Sequence, residues 1–179
     1  ALDSMEKAYF EQIRQYARDQ DLYLEFNFAL KSGHFDSAVQ FDISDGLAIA
    51  HAIGADVSKI GMNLTRPRPV AAGKCHPDVM AQLKTVVKKV TSSLDLVEKT
   101  GVRLALENHT DAFSEEVLWV LDRIDHPLVG ACIDTVNGIH VTENPITAVE
   151  NLAPRAFTNH FRDNRIVITP WGLKFTGAA

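Results

Sequence analysis

Apolar residues along this chain alternate between helical and strand spacing. Asp3-Ser-Met-Glu6 reads as a capping box, with Met5, Tyr9, Ile13 and Tyr16 then sharing one face, which predicts a helix to about Asp19. The aromatic and aliphatic run at residues 22–28 predicts a strand, and a loop around Gly33 and His34 leads to a helix from about Ser44 to Gly54. The next strand covers residues 57–63. After a loop at residues 65–76, Pro77 opens a long helix whose buried stripe is Val79, Leu83, Val86, Val87, Val90, Leu94 and Val97, and Gly101 stops it. A strand ends at Glu107, and a helix begins near Ser114 with Val117, Leu118, Leu121 and Ile124 facing inward. A further strand ends at Asp134. Asn144-Pro145 caps a helix to about Leu152, and the final strand ends at His160.

An opening helix followed by five strands with four helices between them excludes an all-β fold and predicts a parallel α/β architecture. Right-handed crossovers close such units into an eight-stranded barrel of ~250 residues or leave an open sheet, and five strands cannot close a barrel. The chain ends in Phe175-Thr-Gly-Ala-Ala179 without a helix stop and begins at Ala1. The expectation is one domain over residues 1–179, incomplete at both termini.

Composition narrows the function. The 179 residues are 46% hydrophobic and 23% charged, enough for a packed core. A net charge of -5 gives no electrostatic footprint for nucleic acid or an anionic membrane, so the expected partner is a small molecule. Cys75 and Cys132 lie in unrelated contexts, which speaks against a disulfide framework. No apolar stretch approaches the ~18 residues of a membrane span, and a cytoplasmic protein is expected.

The chemistry lies at the strand ends. Val102-Arg-Leu-Ala-Leu-Glu107, Val129-Gly-Ala-Cys-Ile-Asp134 and Ala156-Phe-Thr-Asn-His160 each finish an apolar run on a polar residue, at nearly equal intervals along the chain. In a parallel sheet all three emerge from one rim. Each has an ordinary reading by itself: a strand-end acid in a salt bridge, an Asp in an Asx-turn, a hydrogen-bonded structural His. Together they are the residue types that hold divalent transition metals, and the metal reading gains.

Leu104-Ala-Leu-Glu-Asn-His109, Cys132-Ile-Asp-Thr-Val-Asn137, Asn159-His-Phe-Arg-Asp163 and Gly172-Leu-Lys-Phe-Thr-Gly177 resemble the xylose isomerase-like TIM-barrel family of sugar (phosphate) isomerases and epimerases, over nearly the whole chain. The resemblance implies a (β/α)8 barrel of which this chain supplies about five strands. It assigns Glu107, Asp134 and His160 to one divalent ion, Mn2+ favoured with Mg2+, Co2+ or Zn2+ as alternatives, and a fourth ligand, a Glu, beyond Gly177. The implied activity is proton transfer through a metal-stabilised enediolate of a sugar or hydroxy-keto acid, with Glu107 as one acid/base.

His109, Asn137, Arg162 and Asn63 are expected to bind substrate, each against the reading of a loop-capping residue. Arg66 and Arg68 stand in a loop, where paired arginines are usually solvated. His51 and His76 are left outside the site, and Trp119 and Trp171 are expected to pack. The competing activity is a metal-dependent dehydratase of a cyclic polyol or dehydroshikimate-type substrate. A noncatalytic barrel fragment that self-associates through its edges stays open, as does a homo-oligomer. Nuclease activity is disfavoured, because related nucleases resemble a three-zinc arrangement with a further His where Asn137 stands.

Overall fold

A computed structural model describes residues 5–31, 40–67 and 73–177. The elements run α1 (Lys7–Asp19), β1 (Glu25–Leu30), β2 (Gln40–Phe41), α2 (Ile43–Ile53), β3 (Val57–Gly61), α3 (Pro77–Thr91), α4 (Leu94–Thr100), β4 (Arg103–Glu107), α5 (Ser114–Ile124), β5 (Val129–Asp134), α6 (Pro145–Leu152), β6 (Ala156–His160), β7 (Asn164–Thr169) and β8 (Gly172–Gly177). Six strands form one parallel sheet in the order β2-β1-β3-β4-β5-β6. The five expected strands are all there. The sixth, β2, pairs only Gln40 and Phe41 with Ala29 and Leu30, too short a segment to leave a hydrophobic period.

Strand alternation gives the sheet two different faces. On one, Phe26, Phe28, Ile60, Leu104 and Leu106 pack with the buried stripes of the helices, among them Leu47, Leu83, Val90, Leu121 and Leu152. On the other, Val57, Ala105 and Cys132 form a small separate cluster with Phe157 against it. This second face is concave: Thr158 on β6 donates a hydrogen bond to Glu25 on β1, across three intervening strands. An arc bent far enough for its distant members to touch is part of a barrel wall, with the small cluster in the barrel interior.

Several elements depart from expectation. In α1 the buried residues are Phe10 and Ala17, while Met5 and Tyr16 stay 60% and 64% exposed, so the apolar face is turned by about one residue. Phe10, Ile13 and Ala17 satisfy the same 3.6-residue period as the expected set. The helix begins after Glu6, which makes no side-chain cap, and the expected capping residue Asp3 lies outside the described residues. So do Gly33, His34 and Arg68.

The single long helix expected after Pro77 is two, because both Ser92 and Ser93 turn their hydroxyls onto the Lys89 carbonyl and compete with the helical ladder there. Gly54 and Gly101 close α2 and α4 in the left-handed conformation, at φ 79° and 69°. The unexpected hairpin β7–β8 follows β6, and its strands touch other elements only marginally. It carries Ile166, Ile168 and Leu173 on one face, and Trp171, expected to pack, is 96% exposed at its turn. Trp119 does pack against the core, with the Arg123 guanidinium 3.6 Å from its ring centre.

Candidate functional site

β4 delivers Glu107 to the C-terminal edge of the sheet, 1% exposed. A buried carboxylate needs partners to offset its desolvation. Glu107 has one on each oxygen: Lys59 Nζ lies 2.7 Å from Oε2 and His160 Nδ1 2.9 Å from Oε1. Lys59 reaches it from β3, where it pairs in register with Ala105, one pleat back from Glu107. Cys132 is the register partner of Glu107 on β5, and the ligand atoms of Glu107, Cys132 and His160 lie within 4.8 Å of one another. Burial, then the charge of Glu107, pushes the Cys132 thiol up to about 12. It therefore sits beside the carboxylate as a neutral thiol.

Asp134 ends β5 opposite His160. Its Oδ1 accepts from the backbone amides of Val136 and Asn137 at 3.0 and 2.9 Å, the Asx-turn that an aspartate leaving a strand adopts. Its backbone is clamped by Asn108, whose side chain accepts from the Asp134 amide and donates to its carbonyl at 2.7 and 3.0 Å. The second carboxylate oxygen, Oδ2, is buried and accepts no hydrogen bond among the described residues, although the Arg162 guanidinium stands 2.7 Å away. The Glu107 carboxylate and the His160 imidazole are groups that suit a divalent cation, whereas Asp134 stands outside their cluster and its Oδ2 is ion-paired with Arg162.

The expected substrate-binding residues separate into two groups. His109 and Asn63 line a cavity of about 290 Å3 together with Asn27, Phe28, Ala29, Lys59, Gly61 and Glu107. Asn63 also donates to the Leu30 carbonyl from a left-handed backbone, φ 59°. Asn137 is instead fully buried beside Asp134, where its side-chain oxygen accepts from Arg162. Arg162 thus serves Asp134 and Asn137.

Arg66 is no solvated loop residue. It makes a two-pronged ion pair with Glu116 at 2.8 and 2.9 Å, and Glu116 also accepts from the amides of Phe113 and Cys75. Burial raises the Glu116 carboxyl, as it does Asp111, which accepts from the Leu64 amide. These two acids pin the loops around the cavity. His76 caps α3 by accepting from the Asp78 amide, and His51 faces the Thr100 carbonyl, so both stand apart from the site as expected.

Sequence reasoning missed Lys59, Asn108 and the nearness of Cys132. Lys59 left a signal: it is the one charge in Val57-Ser-Lys-Ile-Gly61, on the same strand face as Val57 and Gly61.

A family model for the xylose isomerase-like TIM barrel matches residues 2–170. The chain belongs to this family. Among curated proteins it is 25% identical to a 3-oxo-isoapionate decarboxylase of Pectobacterium atrosepticum over 164 residues, 91% of this chain and 52% of that protein. The chain therefore spans about half the length of that relative. Solved structures of similar fold include a D-psicose 3-epimerase in the presence of D-fructose, with a TM-score of 0.68, 15% identity, and coverage of 93% of this chain and 63% of that one. Another is the IolI protein with a bound zinc atom, with a TM-score of 0.64, 16% identity, and coverage of 91% and 58%. No helix among the described residues is long and apolar enough to cross a membrane.

Proposed function

We propose that this chain carries the proton-transfer half of a divalent-metal-dependent isomerase or epimerase acting on a small sugar or hydroxy-keto acid. The observation that supports it is the buried carboxylate of Glu107 held between His160 and Lys59 at the strand ends. Glu107, Asp134 and His160 would hold the ion, with Mn2+ the favoured metal. Bound there, it supplies Lewis-acid charge for a carbonyl oxygen.

Glu107 is the proton-transfer group. It is almost completely buried, and its neighbours Lys59 and His160 fix the orientation of its carboxylate at the edge of the cavity. Removal of the proton beside a carbonyl gives an enediolate; its return on the neighbouring carbon, with the hydroxyl proton passing from one oxygen to the other, isomerises the sugar, and protonation of the original carbon from the opposite face by a second acid, the Glu that the resemblance implies, epimerises it. Asn108 holds the Asp134 backbone in place, and Arg162 holds its carboxylate. A curated relative named as a 3-oxo-isoapionate decarboxylase favours a second reading, in which an enolate forms by loss of carbon dioxide from a 3-oxo acid.

Two measurements test the proposal. Titration calorimetry with Mn2+ is expected to give one site in the native protein, weakened at least about tenfold in Glu107→Gln. Incubation of candidate ketoses in D2O with Mn2+ is expected to place deuterium on the carbon next to the carbonyl, and not in the variant. Absence of Mn2+ binding, or exchange that survives Glu107→Gln, overturns the reading.

A further inference from the structure

Lys59 has a capacity that its contact with Glu107 does not use. An ammonium group has three protons to donate. Among the described residues one goes to Glu107 Oε2, and the others have no hydrogen-bond acceptor. The side chain is only 13% exposed and borders the cavity that Asn27, Asn63 and His109 also line. Lys59 thus borders this space with donor capacity that no acceptor among the described residues takes up.

The charges point the same way. Lys59 and Arg162 are positive, Glu107 and Asp134 negative, in two close pairs that cancel. On the reading of Proposed function, on which this inference rests, a divalent ion adds two positive charges to a site of low dielectric, and the Glu that the resemblance implies as fourth ligand would offset only one. Uncompensated buried charge is costly. A neutral sugar brings no counter-charge, whereas an acid does.

We propose that the cavity between β1, β3 and β4 receives a carboxylate of the substrate, with Lys59 as its counter-charge and Asn27 as a neutral donor, so that the enzyme selects a sugar acid over a neutral sugar. Arg162 is not the selector, because Asp134 and Asn137 already engage it. A phosphate fits less well. Phosphate sites draw on helix N-termini and arginine forks, and among the described residues the cavity lining has neither.

D-gluconate and D-glucitol share a six-carbon hydroxylated chain and differ in the carboxylate, and glucitol 6-phosphate adds a phosphoryl group instead. Calorimetric titration of each into the Mn2+-loaded native protein is expected to show gluconate binding about tenfold tighter than glucitol, the scale of one charge-assisted contact. In Lys59→Gln that preference disappears, and in Lys59→Arg it returns in part. The native comparison stands even if a variant does not fold.

Equal affinity for gluconate and glucitol, or a preference that persists in folded Lys59→Gln, overturns the inference. Tighter binding of glucitol 6-phosphate than of gluconate overturns the carboxylate assignment. Mn2+ binding without a carboxylate preference sinks this inference and leaves the metal reading standing. A Lys59-dependent preference in protein that takes up no Mn2+ supports the cavity assignment and sinks the metal reading.

Discussion

Asp111 and Glu116 are ordinary acids in unordinary surroundings. Both carry a carboxyl that burial raises, because the ionised form gives up water for a limited set of protein donors. The folded protein then holds these protons more tightly than the unfolded chain does. Such a group favours the folded state most at acid pH, and its contribution falls as pH rises from the ordinary aspartate value of 3.8 through the raised folded value. Asp111→Asn keeps an acceptor for the Leu64 amide and removes the titration. The variant is expected to gain stability relative to the native protein between pH 4 and pH 7. Urea midpoints of the two proteins measured across that range check this, and parallel curves would count against it. At the same scale, Glu107 and His160 were legible in the sequence because each ends an apolar run. Lys59 was passed over because a lysine within a strand is usually a solvated one, and only its register beside β4 shows that it turns to the carboxylate.

The elements were legible where hydrophobic period and punctuation agreed. Pro77 and Asn144-Pro145 open their helices where expected, and Gly54 and Gly101 close theirs. The α1 face was right at Tyr9 and Ile13, which pack against the core, and misplaced at Met5 and Tyr16, because a second set with Phe10 and Ala17 fits the same period and packing selects between them. The hairpin escaped because Ile166, Val167 and Ile168 form a short run next to Pro170, beyond the last helix, with no buried face to give it a period. Packing also acts where the sequence is silent. A methyl group on Gly46 of α2 would overlap the Phe28 ring on β1, so this glycine sets how closely the helix approaches the sheet. Gly46→Ala must push helix and strand apart or turn a ring that is itself in the core. The expected loss is about 1–3 kcal/mol, read from denaturant midpoints, despite the better helix propensity of alanine. An unchanged midpoint would mean that Phe28 swings aside freely.

At the scale of the molecule, alternation of strand and helix predicted a parallel sheet and its neighbours in sequence, but not its curvature or the short β2 on its edge. Curvature is a property of side chains that meet across the concave face, which no local pattern encodes. The Thr158–Glu25 hydrogen bond joins residues 133 positions apart, and each strand between them must be in place before the two can meet. That has a consequence in time. A contact made only when the arc is nearly complete is absent from an early folding nucleus, so it slows unfolding without hastening folding. Thr158→Val removes the hydroxyl with little change of shape, and Tyr23 still donates to Glu25. A loss of about 1 kcal/mol should appear as roughly fivefold faster unfolding with an unchanged folding rate in stopped-flow measurements. If folding slows instead, the two far strands find each other first, and the interior of the barrel takes shape around that pair before the strands between them settle.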